Sequence, residues 1–453
     1  MSDDVNVAVL GGGVTGLCAA YYLARHLGRD PVLLLEAANA VGGHTRTDHV
    51  NGFTLDWGPN GFLNREPTML EWIRDLGISE QCVSANAAAE HRFILKNGRL
   101  MEVVQPPRFL LTSLLSLRGR ARLLCEPLIA GKRDETPESI WDFAARRIGR
   151  EAADTLVSPM VSGIFAGDAH QLSLAHCFPR MAAMEREYGS LFKALMAKKR
   201  EDKGASPIGP RGVLTTFDKG IGVLPQAAYQ VLQERIRLNA SVQRLRRRNG
   251  GYEIQLKDGT VVHTKSLVLA LPAYASAPIV SELDQDLAAA LSEIEYAHVV
   301  VLCTAYSEEQ VGHNLDGFGF LVPRNQGKRT LGCLWTSSLF PRQAAPGYIL
   351  LRTMFGGATD PEAIQLSDAE LVSCLEREVH PLLKIGTAAE ANWVFRHGRG
   401  IAQYSLRHGA ILDAIEAAQK RNPGLFFAGS AFRGVGLNDC VVSAHDAVAR
   451  LTA

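Results

Sequence analysis

The sequence predicts an α/β fold with a doubly wound parallel sheet. Three observations predict it. "VNVAVLGGGVTGLCAAYYLA" passes from an apolar run through three glycines into helical spacing. "PVLLLE" follows as a second buried strand and completes one strand–helix–strand unit. Much later, "GLFFAGSAFRGVGLNDCVVSAHDAVARL" repeats the order of strand, glycine-rich turn and helix.

Each element has its own reason. Val5 to Leu10 is rich in β-branched residues, which suits a strand buried on both faces. From Val14 to about Leu27 the apolar spacing becomes helical, and Pro31 to Glu36 reads as a strand again. From about Phe109 to Arg200 the pattern is helical, with "FLLTSLLSLRGRARLL" and "SLFKALMAKKRED" mixing leucine with arginine and lysine. "GASPIGPRG", Gly204 to Gly212, breaks that pattern and reads as a mobile connection. "GYEIQLKDGTVVHTKSLVLALP" alternates about Asp258–Gly259 and predicts a hairpin. Short strands follow at "VVVLCTAY", "GFLVP", "TLGCLW" and "YILLRTMFGG", with a helical stretch from Leu371 to Leu383. No internal repeat and no low-complexity tract interrupts them.

The totals narrow the function. With 453 residues and 47% hydrophobic content the chain holds two or three packed units. Forty-eight basic against 47 acidic residues argue against a nucleic-acid coat. The eight cysteines are scattered singly and the 13 histidines form no H-E-x-x-H pattern, so neither a disulfide framework nor a metal site is expected. No signal peptide is visible and no apolar stretch approaches the roughly 18 residues needed to span a bilayer. The expected setting is cytoplasmic, at most peripheral on a membrane.

Gly11, Gly13 and Gly16 fit G-x-G-x-x-G between a strand and a helix that opens at Val14. Glycines permit the tight turn and let backbone N–H groups approach a pyrophosphate. Glu36 ends the next strand, where an acid binds ribose hydroxyls. NAD and FAD share this fingerprint. "VGGHTRT" then supplies Gly42, Gly43, His44 and Arg46, and "LDWGPNGF" supplies Gly58, Pro59 and Asn60. With the late glycine-rich turn, these suggest one long ligand held by both ends of the chain. Here the sequence resembles the FAD-binding amine-oxidase superfamily, which makes FAD the implied cofactor.

Within that superfamily the chain resembles the oxygen-dependent protoporphyrinogen and coproporphyrinogen oxidase flavoproteins nearly end to end. The stretches that carry the resemblance are "GPNGFLNREP", "VSGIFAGDAHQLSL", "FPRMAAMEREYGSL", "LTTFDKGI", "DGFGFLVP", "TLGCLWTSSLFP", "GIAQYSLRH" and "GVGLNDC". The resemblance implies a discontinuous Rossmann-like FAD-binding domain over 1–90, 213–278 and 401–453. A mainly helical, membrane-associating domain over 91–212 and a β-sheet substrate domain over 279–400 complete it. The implied reaction is oxidation of protoporphyrinogen IX in haem biosynthesis, with hydride transfer to flavin and oxygen released as hydrogen peroxide. A porphyrinogen substrate and molecular oxygen are the implied partners. Peripheral membrane contact, a homodimer and hand-over of product to ferrochelatase are further expectations. No catalytic acid–base pair is expected, since the flavin carries the chemistry.

The resemblance also assigns residues. Plant and animal members bind a propionate through an arginine where this chain has Leu63, so that contact is absent. The bacterial pattern moves it to Arg92 in "AEHRF", a guanidinium suited to a carboxylate, with Arg65 as a second anchor. A backbone carbonyl at Gly163, with Gly167 in the same loop, is matched to the pyrrole N–H groups. Leu321, Leu334 and Met354 are matched to the apolar walls; read alone they are ordinary core residues. Val242 is matched to adenine, and Gly429, Gly436, Leu437 and Asn438 to the ribityl and ring end. Ser430 stands where many relatives have Asp or Asn, a shorter hydrogen-bonding reach. The alternatives are coproporphyrinogen III as substrate, an amine oxidase and a non-catalytic flavoprotein scaffold. Val435 replaces half of the aromatic cage expected of the second.

Overall fold

A computed structural model of the protein describes residues 2–28, 31–104, 112–132, 134, 136–201, 212–248 and 250–453. The strand Ser2–Leu10 lies parallel between Val32–Leu35 and Val261–Leu269, with Ile236–Arg237 beyond Val32–Leu35. The strand Val261–Leu269 has two partners on its other side. Gly251–Leu256 pairs antiparallel with its first half, and Leu425–Phe427 runs parallel with its end. Val242–Arg248 completes the hairpin edge.

Both faces of this sheet are covered, which is why its strands read as unbroken apolar runs. Val9, Leu34 and Val268 pack with Leu17 and Leu23 of the helix Val14–Leu27 and with Val441, Ala444 and Val448 of the helix Leu437–Thr452. Ala8, Leu10, Leu35, Leu267 and Leu269 face the other way, toward the helices Ala273–Val280, Gln285–Ser292 and His408–Arg421. The Asp258–Gly259 turn forms, with Gly259 at φ 87°.

A second seven-stranded sheet runs in the order Ala391–Ala402, Tyr296–Ser307, Tyr348–Gly356, Thr330–Trp335, Gly319–Leu321, Arg92–Lys96 and Arg99–Glu102. Only the contact of Gly319–Leu321 with Arg92–Lys96 is parallel. The stretch 92–102, grouped by sequence with the helical part, is therefore a hairpin on this sheet. Its turn is Asn97–Gly98, both with positive φ, the strongest short hairpin signal. One face packs Val300, Leu302, Phe320, Cys333 and Phe355 against Leu371 and Leu375 of the helix Asp368–Glu378.

The helical part contains Leu117–Leu124, Ile140–Ile148, Ser158–Phe165, Pro179–Tyr188 and Leu191–Glu201, with a π-helical turn over Ala153–Val157. Apart from Gly212, the glycine–proline connection lies outside the described residues. The strand Leu214–Phe217 pairs with both Phe62–Leu63 and Cys82–Ser84 in a small sheet. Among the described residues no helix is long and apolar enough to cross a membrane, and no three His, Cys, Asp or Glu side chains come together as a metal site would need.

Candidate functional site

The first glycine turn is built by close approach. Gly11 has φ 104° and its N–H donates to the Leu35 carbonyl at 2.8 Å. A Cβ at Gly16 would stand 1.9 Å from the Gly11 carbonyl oxygen, so the helix crosses the turn at contact distance. A Cβ at Gly13 would meet no protein atom within 4 Å. Gly13 is also the N-cap of the helix Val14–Leu27, and no side chain caps it. An open, uncapped helix N-terminus edged by glycine is a cradle for a negatively charged group.

Glu36 stands under the same turn. Its carboxylate accepts the Gly12 N–H at 2.6 Å and the Ala38 N–H at 2.7 Å, leaving lone pairs for a further donor. The chain at 239–240 runs alongside, with the Ala240 N–H on the Glu36 carbonyl at 2.8 Å and the Asn239 N–H on Ala38 at 2.9 Å. Val242 follows directly, half-buried at the start of its strand.

The second loop is tied to the first. The Gly42 N–H donates to the Gly12 carbonyl at 2.8 Å, and a Cβ at Gly43, which has φ 55°, would lie 3.7 Å from Gly13 Cα. A Cβ at Gly58 would lie 2.6 Å from the His44 carbonyl oxygen. The His44 and His397 rings stand 4.8 Å apart, and desolvation, with His397 and Arg46 nearby, pushes the His44 pKa down. His44 thus meets a ligand as a neutral imidazole. From the far end of the chain, Gly429 adopts φ 123° and its N–H donates to Ser443 Oγ at 3.0 Å. Ser430 accepts the Tyr404 hydroxyl on its carbonyl at 2.7 Å, and its side chain stays half-buried. Gly436 is the N-cap of the helix Leu437–Thr452, and Leu437 is buried. Asn438 Nδ2 donates to the Leu63 carbonyl at 2.8 Å, which joins this helix N-terminus to the strand after Pro59 and Asn60. Asn60 Nδ2 and Asn438 Oδ1 are buried without a protein partner. The open helix N-terminus at Gly13, the second one at Gly436, whose own N–H goes to Asp439 Oδ2 at 3.0 Å, and these orphaned polar atoms fit a long ligand carrying both phosphates and a hydrogen-bonding ring.

The substrate candidates share one face of the second sheet. Arg92 pairs with Gly319, Gly319 with Leu334 and Leu334 with Arg352. Ile94 pairs with Leu321, Leu321 with Gly332 and Gly332 with Met354. Alternation in strands puts both rows on the same side. Leu321, Leu334 and Met354 are half-buried, whereas their neighbours Phe320, Cys333 and Phe355 are buried on the opposite face, as for the wall of a cleft. Arg92 is reached by water yet ringed by protein, which lowers its pKa by desolvation. Its guanidinium lies 5.1 Å over the Phe318 ring and has no carboxylate partner among the described residues.

Gly163, on the helix Ser158–Phe165, closes the wall: a Cβ there would lie 2.8 Å from Leu321 Cδ2. The helix ends as Ala166 turns left-handed at φ 47°, and the Ala166 N–H takes the Ser162 carbonyl at 2.9 Å. That leaves the Gly163 carbonyl without a donor among the described residues, as expected in a last turn. Gly167 lines a separate polar cavity of about 310 Å³ with Ser162, Asp168 and Arg324. Arg65 is not on the sheet; it stands near Asp439, beside the helix N-terminus at Leu437. Val435 is half-buried against the core of the first sheet.

Three residues escaped the sequence reading. Trp57 stacks on Phe395 at 5.6 Å between centroids, and Arg352 donates to the carbonyls of Asp56 at 2.8 Å, Trp57 at 3.4 Å and Gly58. The signal for Arg352 was present: it is the one charge inside the apolar strand "YILLRTMFG".

A phosphate cradle that opens onto an apolar sheet face through a shared loop is the arrangement of a flavin oxidoreductase. A family model for flavin containing amine oxidoreductase matches residues 14–452, so the chain belongs to that family and its cofactor is FAD. Among curated proteins, protoporphyrinogen oxidase 1, chloroplastic, of Arabidopsis thaliana is 32% identical over 97% of this chain and 86% of its own length. Coproporphyrinogen III oxidase of Bacillus subtilis is 28% identical over 99% of this chain and 98% of its own. A solved structure from Exiguobacterium sp. 255-15 superposes with a TM-score of 0.85 at 24% identity, covering 100% of this chain and 99% of that one. Reduced UDP-galactopyranose mutase superposes with a TM-score of 0.76 at 16% identity over 99% and 95% of the two chains. The likeness to these two structures is one of fold.

Proposed function

We propose that the protein oxidises protoporphyrinogen IX to protoporphyrin IX with FAD and oxygen. The observation that carries this reading is the single sheet face on which Arg92, without a carboxylate partner among the described residues, stands beside the half-buried Leu321, Leu334 and Met354. A flat macrocycle with apolar edges and few carboxylates suits such a face. The Arg92 guanidinium would pair with a propionate, and the free Gly163 carbonyl would accept a pyrrole N–H. Leu321 and Met354 would exclude water from the ring. Bound FAD supplies the hydride acceptor, which oxygen restores with release of hydrogen peroxide. Gly11, Gly13 and Gly16 would hold its pyrophosphate, Glu36 its ribose, Val242 its adenine, and Gly58 to Asn60 with Gly429 to Asn438 its ring end.

The domain division given by the sequence belongs to the same reading, as does contact with a membrane surface. Leu117, Leu124 and Leu128 are exposed on the helical part, next to Arg118. A specific observation favours a second substrate: the bacterial coproporphyrinogen III oxidases match this chain over 98% and 99% of their own lengths. Catalytic efficiency with protoporphyrinogen IX and coproporphyrinogen III, measured side by side in air, decides. Higher efficiency with the second substrate would replace the first reading, and turnover of neither would refute both.

A further inference from the structure

Arg352 is 5% exposed and has no ion-pair partner among the described residues. A buried guanidinium is expensive unless its charge is answered. Here the answer is three consecutive carbonyls, those of Asp56, Trp57 and Gly58. His397 Nε2 adds a fourth hydrogen bond, to the Trp57 carbonyl at 2.9 Å. The Asp56 carboxylate is nearby but otherwise engaged, accepting from Thr47 Oγ1 at 2.6 Å, the Ile221 N–H at 3.0 Å and Gln343 Nε2 at 3.4 Å.

Such pinning has a geometric consequence. In a trans peptide the N–H points opposite the C=O. With the Trp57 carbonyl held by Arg352 and His397, the Gly58 N–H is turned away from the sheet. It finds no acceptor among the described residues, and the loop continues to Asn60, whose buried Nδ2 is also unpartnered. A fixed cation on one side and a free N–H on the other therefore share the loop between the substrate face and the flavin cradle.

We propose that Arg352 is a positioning residue of the redox centre. It fixes the Asp56–Gly58 peptides so that the Gly58 N–H faces the flavin, and its buried charge favours the reduced flavin. The step it favours takes a hydride from a substrate carbon, which then sheds a proton, and leaves an electron pair on the flavin. A fixed positive charge stabilises that gain without reorganisation. The inference rests on the flavin lying against this loop and does not depend on which substrate is oxidised.

The test uses purified, FAD-loaded protein and no porphyrinogen. The midpoint potential of bound FAD is measured by anaerobic dye-equilibrated titration for wild type, Arg352→Gln and Arg352→Lys. Gln should lower the equilibrium constant for two-electron reduction at least tenfold, about 30 mV for a two-electron couple. It should also weaken sulfite binding to the flavin. Lys, which keeps the charge but not the fork, should stay within about threefold while amide exchange at Trp57 and Gly58 rises. A potential unchanged in Arg352→Gln overturns the proposal, and so does a tenfold fall in Arg352→Lys.

Discussion

Gly13 and Gly16 stand three residues apart in one turn, yet a side chain at each meets a different fate. At Gly13 a Cβ enters open space, and at Gly16 it would strike the Gly11 carbonyl. Gly13→Val should therefore fold and purify without flavin, whereas Gly16→Val should yield little soluble protein. Absorbance at the flavin bands against protein yield separates the two, and normal FAD content in Gly13→Val would break the cradle argument. Arg92→Ala should raise KM about tenfold or more, the worth of a lost charge-assisted hydrogen bond, with the flavin spectrum unchanged. Unaltered kinetics would remove Arg92 from the substrate site. The glycines were legible because their message is local: strand, turn and helix lie within twenty residues. Arg352 was not, since the Gly58 carbonyl it holds lies 294 residues away in sequence.

Among the elements, the helical part is tied together by a buried charge cluster in which Glu126 and Glu185 both meet Arg147. Glu126, fully buried, accepts from Arg147, from Ser190 Oγ at 2.6 Å and from the N–H groups of Leu191 at 2.9 Å and Phe192 at 3.2 Å. It thereby caps the helix Leu191–Glu201 and neutralises an equally buried arginine. Desolvation opposes its ionisation, but these donors win and its pKa lies below the ordinary carboxylate value. A depressed carboxylate contributes stability above its unfolded pKa and loses it as pH falls through the folded one. Amide exchange across 117–201 should thus rise once pH drops below about 4. Glu126→Ala should cost about 3 kcal/mol by leaving the buried Arg147 with Glu185 alone, at 3.3 Å, to answer its charge. A loss under about 1 kcal/mol would show that the cluster relaxes around the gap. The sequence announced helices here through their spacing, but it could not pair Glu126 with Arg147 across the intervening turns. The Asn97–Gly98 hairpin signal lies within 91–212, the stretch expected to be mainly helical.

At the scale of the molecule, five of the seven strands of the first sheet and its two glycine turns were readable, since parallel strands buried on both faces leave an apolar record; the two-residue Ile236–Arg237 and the arginine-rich edge Val242–Arg248 leave none. The substrate face was readable only through resemblance. Its residues alternate with core residues in the same strands, and nothing local distinguishes Leu321 from Phe320. Acid sensitivity also belongs to the whole fold. His408, fully buried, stacks on Tyr404 at 4.2 Å and shares a hydrogen bond with the Phe432 carbonyl at 3.0 Å. Desolvation, aided by His176, pushes its pKa down to about 4. The unfolded chain takes up that proton near 6.5, so stability is full above that pH and falls as pH drops toward 4, by about 3 kcal/mol. Denaturant titrations between pH 7 and 4 check this. A flat profile over that window would mean the imidazole charges freely in the fold.

The helix Val14–Leu27 packs against the helix Leu437–Thr452, and the strand Ser2–Leu10 needs Val261–Leu269 beside it. On the ribosome these partners arrive in a fixed order. At about 5–20 residues per second, the first glycine turn emerges roughly 20–80 s before the helix that completes its cradle. Throughout that interval the nascent chain carries a half-built nucleotide pocket with one apolar helix face uncovered. Flavin capture is thus a late event in biosynthesis, and a chain stalled before residue 425 would be both cofactor-free and exposed to chaperones.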